Sequence, residues 1–95
     1  MDELVYYNDL YDLYKNLLTD KQREYFEDYY FNNLSLSEIS ENYDISRNAV
    51  SKQLSVIRDK LDEYEKKLRL YEKKNEILNI ADEKTKDKII DILLS

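Results

Sequence analysis

No glycine and no proline occurs anywhere in these 95 residues. Tight hairpins draw on Gly for positive φ and on Pro for a preset φ, so a sheet of short strands lacks its usual turn chemistry here. Helix formers dominate what remains, and the expected fold class is all-α. A chain of this length makes one domain, 1–95, with a small core that buries about 60–65% of the unfolded chain's surface. Cysteine and histidine are also absent. No disulfide or thiolate metal site is possible, a zinc site would rest on carboxylates alone, and the usual base for neutral pH is missing. The expectation is a protein that is not an enzyme, with no catalytic residues, no cofactor and no metal.

The segment from Leu34 to Leu54 reads LSLSEISENYDISRNAVSKQL. Ser35 and Glu38 have the spacing of a capping box, and Leu36, Ile39 and Tyr43 follow on one helical face. The next residues, Asn42 to Ile45, supply a turn, because Asn and Asp tolerate the left-handed backbone better than other non-glycine residues. Ser46 then caps a second helix whose Val50, Leu54 and Ile57 face inward. Its other side carries Arg47, Asn48, Ser51, Lys52, Ser55 and Arg58, a polar cationic face without a carboxylate. This is the arrangement of a helix-turn-helix, and Arg47 and Asn48 lie nearest the helix N-terminus, where base edges are usually read.

Two short capped helices occur in any helical bundle; the neighbourhood sets this pair apart. Upstream, Thr19 and Gln22 form a second capping box, opening a helix with Tyr25, Phe26, Tyr29 and Tyr30 on its apolar face. The order is helix, helix, turn, helix. At Leu18 to Val50 the chain resembles region 4 of bacterial sigma factors, whose L-T-x-x-Q-R and L-S-x-x-E-I-x-x-x-x-x-I-S-x-x-x-V patterns it matches. It resembles more closely the small YlxM-like helix-turn-helix proteins. The residues that carry this are Leu10 to Tyr14, Leu17 to Thr19, Lys21 to Tyr25, Leu34 to Ile39, Ile45 to Val50 and the charged stretch Leu61 to Leu68. The resemblance covers about residues 5 to 72. It implies a sigma-region-4-like helix-turn-helix domain with an N-terminal helix and a C-terminal helical extension, the core at about 5–60 and the extension at about 61–95. It also implies a regulatory role connected with the signal recognition particle pathway. Asp44 stands where the family's turn usually has Gly, and Ser40 where Ala is usual. The first departure should cost some stability.

The formal charge is −6, but its distribution is uneven. Residues 1–44 hold three Lys or Arg against eleven Asp or Glu, and 45–95 hold twelve against ten. A local basic patch on an acidic body permits nucleic-acid binding while predicting weak nonspecific affinity and strong salt sensitivity. The acidic half equally suits a basic protein partner. Hence DNA is the first expected partner, RNA the second, and a protein- or RNA-interaction module of the signal recognition particle system is the alternative reading. No apolar run approaches the length of a membrane span, and the N-terminus carries acids rather than a basic region, so the cytoplasm is the expected location.

A first helix is expected over about Glu3 to Leu18, with Tyr6, Leu10, Leu13, Tyr14 and Leu17 as its apolar stripe. No breaker appears between Arg47 and Leu78. One helix of that length would extend about 48 Å, so it must project or bend. Its apolar residues recur in steps of three and four, placing Leu61, Leu68 and Asn75 at heptad position a and Tyr64, Tyr71 and Leu78 at d. Lys60 and Lys67 then face Glu65 and Glu72 across a parallel homodimer seam, with Asn75 fixing register. A weak break falls near Asn79 to Asp82, and Thr85, Ile89, Ile92 and Leu93 suggest a short final helix. The ten tyrosines are expected mostly as core residues, Tyr29 among them, rather than as stacking platforms for unpaired bases. The carboxylates Asp9, Asp12, Glu24, Glu27 and Asp28 are expected on solvated helix faces.

Overall fold

The computed structural model describes residues 3–95. Among them the elements are α1 (Glu3–Tyr14), a 3₁₀ turn (Lys15–Leu17), α2 (Asp20–Tyr30), α3 (Leu36–Tyr43), α4 (Arg47–Leu68), α5 (Leu70–Ile80) and α6 (Glu83–Leu94). The fold is all-α. Local signals set most boundaries. Thr19 Oγ1 accepts from Gln22 N at 3.2 Å while Gln22 Oε1 accepts from Thr19 N at 3.0 Å, completing the first capping box. Ser35 and Glu38 do the same for α3, and Ser46 Oγ accepts from Ala49 N at 3.0 Å to open α4. Asp44 adopts the left-handed conformation at φ 54, ψ 46 and ends α3. Each of these satisfies backbone groups that a helix end otherwise leaves unpaired.

The core is built around α4, whose Val50, Leu54, Ile57 and Leu61 are buried against α1, α2 and α3. Leu10, Tyr11 and Tyr14 enter from α1, Leu18 from the connection, Tyr25 and Phe26 from α2, and Ile39 from α3. Tyr11, Phe26 and Tyr30 form a stacked column with successive centroid distances of 4.3 Å. Arg23 Nη1 donates to the carbonyls of Lys15 and Leu18, tying the 3₁₀ turn to the first turn of α2. The helix-turn-helix is thus braced from behind by two aromatic-rich helices.

Two sequence expectations on packing, at Leu17 and Tyr29, are corrected. Leu17 is 51% exposed, because the 3₁₀ turn at Lys15 changes the rotation per residue before Leu17 reaches the α1 stripe. Tyr29 is 37% exposed, since α2 presents Phe26 and Tyr30 rather than Tyr29 to the core column. Ile92 is 74% exposed on α6, which contains no fully buried residue. The long run after Arg47 bends: α4 stops at Leu68, and Arg69 at φ 54, ψ 32 separates it from α5. α5 and α6 then turn back along α1. The molecule measures 47 × 25 × 25 Å, with a radius of gyration of 15.2 Å, against the about 12 Å of a compact chain this long. No helix among the described residues is long and apolar enough to cross a membrane.

Candidate nucleic-acid interface

The outer face of α4 arises because Val50, Leu54 and Ile57 commit the opposite face to the core. That leaves Arg47, Asn48, Ser51, Lys52 and Ser55 exposed over the helix's first turns. Leu36 at the start of α3 forms, with Ser46, Arg47, Asn48 and Ser51, an open cleft of about 490 Å³ beside the α4 N-terminus. Arg47 and Lys52 make no ion pair among the described residues. No carboxylate lies on this face between Ser46 and Arg58, while Asp44 and Asp59 are exposed at its two ends. This face therefore carries net positive charge over about three turns of one helix, on a chain whose residues 1–44 are strongly acidic.

Arg58 differs from the other five. It is half-buried and its Nη1 donates to Tyr30 Oη at 3.0 Å, fastening α4 to α2. Burial pulls its guanidinium pKa down, but the bond to Tyr30 and the nearby phenols and Glu3 leave it raised above its ordinary value. Sequence periodicity groups Arg58 with Arg47, whereas the bond to Tyr30 depends on α2 crossing α4 there. Leu36, on the apolar face of α3 with Ile39 and Tyr43, also forms a wall of the cleft.

The expected dimer seam is not one continuous stripe in this structure. Leu61 is fully buried in the chain's own core. Tyr64 Oη donates to Leu17 O at 3.0 Å, and the Tyr71 ring meets Tyr6 edge-on at 5.3 Å. Leu68 is exposed at the end of α4, and Asn75 and Leu78 are half-buried on α5 beyond the bend. The left-handed residue at Arg69 divides the two heptads.

The tyrosines and carboxylates answer one another. Tyr7 Oη donates to Asp62 at 2.8 Å, Tyr14 to Glu65 at 2.6 Å and Tyr43 to Asp28 at 2.9 Å, and Tyr11 donates to Glu27. Glu27 and Asp28 are thus anchor points for the core aromatics rather than merely solvated. Burial, then the bond to the neighbouring carboxylate, raises the phenol pKa of Tyr7, Tyr11 and Tyr14, and pushes Tyr43 up to about 12. Among the described residues no group of three His, Cys, Asp or Glu side chains is placed to hold a metal ion.

The model of a family described as "Putative helix-turn-helix protein, YlxM / p13 like" (UPF0122) matches residues 1–93. The chain belongs to this family. A UPF0122 protein of Shouchella clausii is 48% identical over 73 residues, covering 77% of this chain and 67% of the relative. One from Caldanaerobacter subterraneus subsp. tengcongensis is 51% identical over 77 residues, 81% of this chain and 66% of its own length. A third, from Staphylococcus haemolyticus, is 50% identical over 66 residues, 70% and 60% of the two chains. The match spans about two thirds of the length of these relatives. In this YlxM / p13-like chain the helix-turn-helix is α3, the Asp44 turn and α4.

Proposed function

We propose that this protein is a non-enzymatic cytoplasmic regulator that binds duplex DNA with the first three turns of α4. The single observation that carries the reading is the carboxylate-free exposed face of Arg47, Asn48, Ser51, Lys52 and Ser55, with both cations unpaired, on the second helix of the helix-turn-helix. An exposed helix fits the major groove of B-form DNA, whereas the deep narrow groove of A-form RNA excludes it. Arg47 and Asn48 are the base-reading residues, Arg to guanine and Asn to adenine. Lys52 is the phosphate contact, and Ser51 and Ser55 fill the face between them. Arg58 reaches phosphate only by leaving Tyr30, so its main contribution is to hold the angle between α4 and α2.

A connection to the signal recognition particle rests on the family resemblance. The particle's RNA therefore belongs in the test alongside DNA. Purified protein is incubated with genomic fragments and total RNA at moderate salt, and the retained species are sequenced. A shared motif among retained duplex fragments, lost in the Arg47→Ala/Lys52→Ala double variant, supports the reading. Equal retention by the double variant defeats the recognition face. Retention of RNA alone, or of neither, defeats DNA binding and leaves the interaction-module alternative.

A further inference from the structure

Arg69 is the least expected residue in the backbone. Three non-glycine residues hold positive φ among those described: Asn33, Asp44 and Arg69. The first two are of the types that visit the left-handed region, since their short polar side chains bond locally; Arg is not. Nothing in the sequence from Arg47 to Ile80 otherwise interrupts a helix, and a strained position of this sort persists only where its surroundings hold it.

Two side chains from outside α5 hold the bend, and Arg69 itself pairs with Glu72 at 3.9 Å. Leu70 N donates to Tyr14 Oη at 3.1 Å, Tyr71 N to Glu65 Oε1 at 3.0 Å and Glu72 N to Glu65 Oε2 at 3.2 Å. Tyr14 Oη in turn donates to Glu65 Oε1 at 2.6 Å. The first N–H groups of α5 are thus capped from α1 and α4, while Arg69 itself supplies no side-chain cap. Just beyond the bend Leu70 and Tyr71 pack partly buried against the core, but neither α5 nor α6 contains a fully buried residue, and Ile80 is 87% exposed.

We propose that Arg69 is a hinge at which α5 and α6 swing off α1, so that α4 and α5 become one helix whose stripe of Tyr64, Leu68, Tyr71, Asn75 and Leu78 docks a second copy of this chain. The occupant follows from spacing and charge. The three-and-four spacing runs through Arg69 without a phase shift, as a coiled-coil seam requires. In a parallel pair, Lys60 and Lys67 of each copy meet Glu65 and Glu72 of the other. Glu65 is the switch between the two forms, capping α5 when bent and pairing with Lys60 of the second copy when straight. Leu61 stays in the helix-turn-helix core in both.

The full chain has no cysteine, so cysteines introduced at the exposed Gln53 and Asn79 take spin labels uniquely. Labelled chain diluted into unlabelled chain reports the intramolecular distance, about 39 Å in a continuous helix, while sedimentation equilibrium reports association. Arg69→Gly relieves the left-handed residue and weakens the straight helix; it should lose the long distance and associate at least about fivefold more weakly. Tyr14→Phe keeps the buried ring but removes both bonds of the hydroxyl, and should populate the long distance and associate about fivefold more tightly. Helicity by circular dichroism confirms that each variant is folded. If Tyr14→Phe unfolds, the proposal stands or falls on Arg69→Gly, which relieves strain. Association unchanged in Arg69→Gly, or dimers lacking the long distance, overturns it.

Discussion

The steepness with which salt weakens nucleic-acid binding is set by how many cations the interface neutralises, and the structure limits that number. On the α4 face Arg47 and Lys52 are exposed and unpaired, while Arg58 is engaged with Tyr30 Oη at 3.0 Å. Each phosphate neutralised contributes a slope of about −0.9 in log affinity against log salt for B-form DNA. With Arg47 on a base edge, Lys52 alone gives a slope of about −0.9 per bound protomer, a loss of about 3.5-fold between 50 and 200 mM salt. Recruiting Arg58 raises these to about −1.8 and about 12-fold. Fluorescence anisotropy on a retained duplex, at salt concentrations spanning this range, reads the slope directly. Lys52→Ala should flatten it by about 0.9, because one released counterion is lost. Arg47→Ala should instead narrow the difference between matched and mismatched sites by about 1–3 kcal/mol, the worth of a bidentate base contact. A slope steeper than about −4 per protomer would mean that cations elsewhere on the chain carry the binding, and a Lys52→Ala slope equal to the wild type's would remove Lys52 from the interface.

Core and cap substitutions separate fold from binding. Ile39→Ala empties a fully buried site between α3 and α4 and should cost about 2–5 kcal/mol in denaturant unfolding; a loss under about 1 kcal/mol would show that α3 packs otherwise. Ser46→Ala removes the acceptor for Ala49 N and should cost about 1 kcal/mol, with binding falling too because the first turn of α4 frays; unaltered stability and binding would mean that the cap is dispensable. The tyrosines make an alkaline prediction. A phenol whose folded pKa is raised favours folding fully below its unfolded value of about 10, and loses that contribution as pH climbs through the folded value. For Tyr43 the window therefore runs from about 10 to about 12, the upward push coming from burial and the bond to Asp28. The tyrosinate absorbance of Tyr43, read as the difference from Tyr43→Phe, should rise together with, not ahead of, the loss of helix by circular dichroism. Ionisation of Tyr43 at its ordinary value with the helices intact would contradict this.

What could be read from the sequence was whatever is decided within one turn of helix. The capping boxes at Thr19 and Ser35, the cap at Ser46 and the left-handed turn at Asp44 all bond groups three to five residues apart. The residues concerned are chemically suited to those positions, so the helix-turn-helix and the outward direction of Arg47, Asn48, Ser51, Lys52 and Ser55 followed from spacing alone. Leu17 was misplaced for an equally local reason that spacing does not carry: a 3₁₀ turn and an α-turn share composition but differ in rotation.

Tertiary structure decided everything that depends on partners distant in the chain. Tyr14 meets Glu65 across 51 residues and Leu70 across 56, and those two contacts convert a breaker-free helix into two. Arg58 finds Tyr30 across 28 residues, which withdraws one cation from a face that periodicity assigned to it. The heptad pattern was real as spacing, yet the chain's own α1 captured Tyr71, and its core captured Leu61. Apolar periodicity states which side of a helix seeks cover; which surface supplies the cover depends on long-range packing, where a few hydrogen bonds and one left-handed residue suffice to choose between the chain itself and a second copy.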